Sequence, residues 1–377
     1  MKMKPFMYAV LAATVALASC QSNANKSAGD SSAIDTLAVE AGNPVSLNSI
    51  RPTGATPAWA PDIHPQMQAV MEKLAGYGDK PIPQLTAVEA RKNHTPTDAV
   101  KDLMAQYKIA APPSNVDTSG KDIPVAGGTI HLRMYTPKST GPFPVVVYYH
   151  GGGFVIANLD VYDASARSLA DKLGAVVVSV AYRLAPEKKF PTAHNDAFAA
   201  YQWVLANAAA IKGDVKKIAV AGESAGGNLA LNAAIAARDK KVALPVHILA
   251  VYPVAQPDMN TPSYQKYAAA KPLDKPMMAW FVKNYLNSMA EAKDPRINLV
   301  AANLKGLPSS TIITAQIDPL QSDGEMIADK LKAAGVTVDT KNFDGVTHEF
   351  FGMATVLPEA VEAQAYAVDQ LKKSFSK

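Results

Sequence analysis

Residues 217–228 read Lys217-Ile218-Ala219-Val220-Ala221-Gly222-Glu223-Ser224-Ala225-Gly226-Gly227-Asn228, and their reading decides the fold. A short apolar run (residues 217–221) leads into G-x-S-x-G, and a helix-like stretch (residues 225–240) follows at once. A chain that turns so sharply from strand to helix must have small residues two before and two after the serine, because the backbone crosses itself there. The serine is then exposed above the carboxyl end of its strand, next to helix N–H groups that favour negative charge.

Outward from this point the chain alternates strand and helix. Apolar or β-branched runs occupy residues 145–149, 175–181, 247–252, 310–317 and 336–343. Helical patterns occupy 163–173, 191–209, 323–334 and 359–376. Near-continuous apolar strands that alternate with helices predict an α/β fold, a mostly parallel sheet covered on both faces. Upstream, residues 122–135 alternate about Gly127-Gly128, a hairpin signal. Helix-like stretches lie at 65–77 and 86–107, the second interrupted at Pro96. An insertion at 255–284 carries Tyr264, Tyr267, Trp280 and Phe281 and follows a strand end, where ligands bind in such sheets.

Three further stretches carry chemistry. His150-Gly151-Gly152-Gly153-Phe154 follows the 145–149 strand directly. Consecutive glycines leave N–H groups free and let an oxygen approach the backbone closely. Gly151, Gly152 and Ala225, the residue after the serine, are the expected oxyanion donors. No Lys-Ser/Thr pair or helix follows the glycines, so a phosphate loop is disfavoured. Of the two histidines after Ser224, His247 falls inside an apolar strand, whereas His348 lies in a loop and is the expected base. Asp318 ends the 310–317 strand and is the expected acid. It is preferred on placement to Asp323, expected to cap the next helix, and to Asp344, expected in the turn before His348.

His150-Gly151-Gly152-Gly153-Phe154, Tyr182-Arg183-Leu184-Ala185-Pro186-Glu187 with Phe190-Pro191, Gly222 to Asn228, Asp318-Pro319-Leu320 and His348 together resemble the bacterial hormone-sensitive-lipase-like esterases (family IV), from about Pro113 to Pro358. The resemblance implies an α/β-hydrolase core, a helical cap and hydrolysis of carboxylic esters, of short to medium acyl chains, without metal or cofactor. It maps the nucleophile to Ser224, the acid to Asp318, the base to His348 and the oxyanion donors to Gly151, Gly152 and Ala225. Two residues depart from the common pattern: Glu223, where Asp is common, and Glu349, where Gly is frequent. In the Tyr182–Glu187 block, Arg183 and Glu187 are expected to pair. Two other readings share these residues: an amidase or transacylase using the same triad, and a non-catalytic binding lipoprotein on a hydrolase scaffold.

The N-terminus adds a destination. Lys2 and Lys4 precede an uncharged, mostly apolar stretch that ends in Leu17-Ala18-Ser19-Cys20, too short to span a bilayer as a helix and suited to a secretory signal. Leu-Ala-Ser-Cys resembles the lipobox of bacterial lipoproteins, with Cys20, the chain's one cysteine, as the lipidated residue. Residues 1–19 are therefore expected to be a signal peptide and 20–61 a flexible tether. Residues 62–112 are expected as N-terminal cap helices and 113–377 as the catalytic domain, with 255–284 contributing to the cap. The small and polar residues 21–32 would span about 19 Å root-mean-square. Gln21 after the cysteine is compatible with passage to the outer membrane, so the expected place is the cell envelope, held by lipid. With 48% apolar and 19% charged residues in 377, there is ample material for a core. A net charge of +4 without a dense basic cluster gives nucleic-acid binding little support, and one cysteine rules out a disulfide framework.

Overall fold

The computed structural model describes residues 46–377. The signal, Cys20 and most of the expected tether lie outside the described residues. In chain order the elements are α1 (Pro65–Ala75), α2 (Ala87–Ala90), α3 (Pro96–Tyr107), β1 (Val116–Val125), β2 (Gly128–Pro137) and β3 (Phe143–Tyr149). They continue with α4 (Asp163–Leu173), β4 (Val176–Ala181), α5 (Thr192–Asn207), β5 (Gly213–Glu223), α6 (Ala225–Asp239) and β6 (Ile248–Val251). The last are α7 (Pro262–Lys266), α8 (Lys275–Tyr285), β7 (Ser310–Ile317), α9 (Gln321–Ala333), β8 (Val338–Thr347) and α10 (Pro358–Phe375).

The strands form one eight-stranded sheet in the order β1-β2-β4-β3-β5-β6-β7-β8. From β4 to β8 every pairing is parallel; the β1–β2 hairpin joins β4 antiparallel. Alternation along β3 feeds two cores: Val145, Val147 and Tyr149 point to one face, Val146 and Tyr148 to the other. Helices α5, α6 and α9 cover the first face and α4 and α10 the second, which is the two-sided cover that uninterrupted apolar strands demand. The strand order reverses at β3, whose neighbours β4 and β5 continue to opposite sides, so the loops after β3 and β5 open a crevice at the carboxyl end of the sheet.

Pro96 opens a helix rather than kinking one. It is the first residue of α3, where a missing N–H costs nothing, and Thr95 with Asp98 forms a capping box ahead of it. The segment expected to cap the site divides. Helices α1 and α3 pack on the core beside α4 and α10. The stretch around α2 meets the insertion instead, where Trp280 Nε1–H donates to the Leu85 carbonyl at 3.0 Å.

Residues 46–61, expected as the end of a tether, are bound to the fold instead. Ile50 and Ala60 are fully buried, and Glu72 accepts hydrogen bonds from the N–H groups of Thr53 (2.6 Å) and Gly54 (3.0 Å). The prolines that break periodicity here also let the chain follow the surface of α1 with no more than one 3-10 turn, Leu47–Ser49, of its own.

Candidate active site

Ser224 stands between β5 and α6 at φ +56°, ψ −119°, a left-handed conformation that a non-glycine residue adopts only when its surroundings impose it. Its N–H donates to Val251 O at 2.9 Å, and its carbonyl accepts from Asn228 N and Val254 N, both at 3.2 Å. The small residues around it are compulsory. A Cβ on Gly222 would lie 2.2 Å from Gly226 O, and one on Gly226 would lie 1.9 Å from Tyr149 O.

The glycine loop leaves β3 beside this turn. Gly152 and Gly153 adopt φ +93° and +58°. His150, stacked on Tyr182 with ring centroids 4.3 Å apart, bonds through Nδ1 to Gly151 O at 2.8 Å. Burial pushes its pKa down to about 4, so it is a neutral structural ring. The Tyr182 hydroxyl donates to the carbonyls of His150 (2.9 Å) and Gly151 (3.1 Å), which holds those oxygens away from the site. Among the described residues, the N–H groups of Gly151, Gly152 and Ala225 donate to no other protein atom, although all three residues are buried. Such groups are rare, and three of them beside one serine form a ready receptor for an oxyanion.

Asp318 follows β7 and His348 follows β8, so adjacent parallel strands bring the two side chains together at one edge. His348 Nδ1 and Asp318 Oδ2 are 2.6 Å apart, and both residues are buried. The other carboxylate oxygen accepts from Leu320 N at 2.8 Å, which leaves Oδ2 for the ring. Burial alone would lower the His348 pKa, but Asp318, with Glu349 and Glu223 behind it, raises it above the ordinary 6.5. Among the described residues, no direct hydrogen bond joins Ser224 Oγ to His348. His348 instead lies against Tyr252, ring centroids 4.5 Å apart. No three His, Cys, Asp or Glu side chains among the described residues are grouped to hold a metal ion.

A family model for the α/β-hydrolase fold matches residues 146–352. The carboxylesterase NlhH of Mycobacterium tuberculosis is 36% identical over 322 residues, 84% of this chain and 97% of its own. The ethyl acetate hydrolase of Pseudomonas putida is 32% identical over 318 residues, 83% of this chain and 98% of its own. A solved thermostable esterase from Pseudomonas putida superposes with a TM-score of 0.76 at 32% identity, covering 84% of this chain and 98% of that one. The chain belongs to the hormone-sensitive-lipase-like carboxylesterases. It is a carboxylic ester hydrolase.

Around the site of this esterase lie side chains whose partners the motifs do not reveal. Glu223 is buried beneath the serine and accepts hydrogen bonds from the hydroxyls of Tyr148 and Tyr252. Burial pushes its pKa up to about 7 against the pull of those two donors. The signal was a tyrosine at or just past the end of two otherwise apolar strands, a polar tip that needs a partner when buried. Asp323 does not cap a helix. It lies inside α9, fully buried, and accepts from the N–H groups of Ala255 (2.9 Å) and Gln256 (3.3 Å) and from the Gln256 amide (2.7 Å). It thereby fixes the root of the 255–284 insertion. Asp344 lies within β8, exposed, with one oxygen accepting from Asn342.

Arg183 and Glu187 do not pair. Residues 185–188 form a turn that carries the two side chains to different partners. Arg183 instead makes a bidentate pair with buried Asp196, at 2.8 and 2.6 Å, and Glu187 pairs with Arg91 at 2.7 Å. His247 is a buried structural residue, bonded to the hydroxyls of Ser309 (3.0 Å) and Thr311 (2.9 Å).

Proposed function

We propose that the esterase works through Ser224, His348 and Asp318. The Ser224 oxygen forms a bond to the ester carbonyl carbon as His348 takes its proton, and the N–H groups of Gly151, Gly152 and Ala225 receive the oxyanion. The alcohol leaves with the proton from His348. Water, deprotonated by the same imidazole, then cleaves the acyl-enzyme, while Asp318 fixes the tautomer of the ring throughout. The observation that carries this reading is the conformation of Ser224, strained at a strand–helix junction beside three unpaired N–H groups.

Replacement of Ser224 by alanine is expected to reduce hydrolysis of a short nitrophenyl ester to near background and to abolish labelling by a fluorophosphonate. Undiminished turnover in that variant overturns the assignment. Because His348 must start neutral and its pKa is raised, activity should fall as pH drops through a value above 6.5.

The acyl group proposed is short to medium. An apolar cavity of about 60 Å³ adjoins the glycine loop, lined by Gly153, Phe154, Tyr264, Met278, Phe281 and Tyr285 among others. So small a space supports chains of a few carbons, and an acyl-length series of nitrophenyl esters tests it. We further propose that Cys20 carries a lipid that holds the enzyme in the cell envelope, at the outer membrane. The support is the Lys2/Lys4 start, the apolar stretch after it and the small residues ahead of the chain's one cysteine. No helix among the described residues is long and apolar enough to cross a membrane. Cys20→Ser should move the enzyme from the membrane fraction to the soluble one, and continued fractionation with membranes overturns the anchor.

A further inference from the structure

Glu349 directly follows His348 and sits at φ +72°, a backbone region that glycine enters freely and a glutamate does not. Its side chain supplies a reason for the cost. Oε1 accepts a hydrogen bond of 2.6 Å from the hydroxyl of Tyr162, a residue only 3% exposed. Tyr162 precedes α4, on the far side of the site from β8. The same hydroxyl is seated on the glycine loop: a Cβ on Gly151 would lie 2.2 Å from it. The tyrosine ring also adjoins His150, centroids 5.9 Å apart. One hydroxyl therefore touches the loop that carries the imidazole and the loop that carries the N–H groups.

We propose that Tyr162 and Glu349 are positioning residues that lock the loop of His348 to the glycine loop, so that base and oxyanion donors keep a single spacing. This rests on the roles given above to His348, Gly151 and Gly152. The groups facing the pair are His348 and Asp318 at the ends of β8 and β7, Glu223 on β5, Tyr148 on β3, and Tyr182 and Tyr252 after β4 and β6. Burial and the neighbouring Asp318 raise the Glu349 pKa, while His348 and the Tyr162 hydroxyl pull it back. An ionised Glu349 favours the protonated imidazole next to it.

The test compares Tyr162→Phe, Glu349→Gly and Glu349→Gln with Ser224→Ala on a short nitrophenyl ester. Glycine suits the left-handed backbone, so Glu349→Gly removes the carboxylate without adding strain. Tyr162→Phe and Glu349→Gly are each expected to lower kcat roughly tenfold to a hundredfold, with KM within about twofold, because misplacement of a catalytic group acts on the chemical step. Glu349→Gln keeps an oxygen that can accept from Tyr162. It should recover most of that loss, and the acid limb of its pH profile should move to lower pH because a negative charge beside the imidazolium is gone. A wild-type kcat in Tyr162→Phe and Glu349→Gly, whatever their melting temperatures, overturns the inference. If Ser224→Ala itself stays active, it is the underlying catalytic reading that fails.

Discussion

Eight non-glycine residues with left-handed backbone fall into two groups among the described residues. Lys108, Lys212 and Lys241 are exposed and follow helices, at φ +54° to +60°. Phe154, Ala157, Ser224, Tyr252 and Glu349 lie at or beyond the carboxyl ends of β3, β5, β6 and β8. At the lysines the conformation closes a helix: Ile109 N reaches back to Met104 O at 2.8 Å, and water surrounds the side chain. At the site the same conformation is held by packed neighbours and aims particular atoms. Strain that is incidental on the surface is concentrated, and directed, where parallel strands end. The interior of the sheet a few residues away is mostly apolar, with side chains such as Val147 between Val178 and Val220 and a few buried hydroxyls such as Ser179 and Thr311.

The largest way to break this comparison is at Asp318, the proposed acid. Asp318→Asn keeps size and burial but cannot hold the Nδ1–H tautomer of His348, and kcat on a nitrophenyl ester should fall about 10⁴-fold. The circular dichroism spectrum should stay native. A loss below about tenfold would mean that this edge of the sheet is packing like the rest. The opposite experiment is Val147→Ala in the middle of β3. Removal of two fully buried methyl groups should cost about 2 kcal/mol in denaturant unfolding and leave kcat within about twofold where the protein is folded. If kcat falls with stability there, the division between a packed interior and a poised edge is false.

The buried carboxyls sharpen the contrast through pH. Burial pushes the pKa values of Glu223 and Asp323 in the folded protein up to about 7, against ordinary values of 4.5 and 3.8. Between those limits the unfolded chain has released protons that the native state keeps. Stability is therefore greatest below about pH 4 for these two groups and is lost as pH rises through 7. Glu223→Gln should flatten that decline by an amount on the order of 2 kcal/mol between pH 5 and 8, read from denaturant midpoints. An unchanged slope would show that Glu223 is ionised in both states.

Why some of this was legible in the sequence and some was not follows from distance along the chain. Residues 222–226 and 150–154 are short local patterns, each imposed by a turn that admits only small residues, so they can be read without the fold. Strand ends locate Asp318 and His348 because a parallel sheet delivers every strand's carboxyl end to the same edge. Partners are another matter. Glu223 with Tyr148 and Tyr252, Glu349 with Tyr162, Arg183 with Asp196 and Glu187 with Arg91 are separated by between 13 and 187 residues, and no local periodicity records such pairs. The expected Arg183–Glu187 pair failed for that reason: each side chain found a partner from a distant part of the chain, Asp196 and Arg91. Residues 46–61 were misread similarly, because a chain that lies on a surface with a single 3-10 turn, Leu47–Ser49, leaves only scattered apolar contacts such as Ile50 and Ala60.

The smallest expected effect is also the cleanest check on the two kinds of left-handed residue. Lys108 closes α3 at φ +54°, far from the serine in sequence, exposed, with its N–H bonded to Ala105 O at 3.3 Å. Glycine at this position keeps that bond and removes the Cβ clash, so Lys108→Gly should raise stability by about 1 kcal/mol at most, with kcat unchanged. Glycine's greater freedom in the unfolded chain opposes the gain and sets its small size. Glu349→Gly makes the same backbone exchange beside His348, yet there activity should fall while stability is spared. Two replacements by glycine, both at left-handed backbone, would then diverge in opposite observables. A loss of activity at Lys108, or none at Glu349, would show that backbone conformation and not the direction of a side chain decides what these positions do.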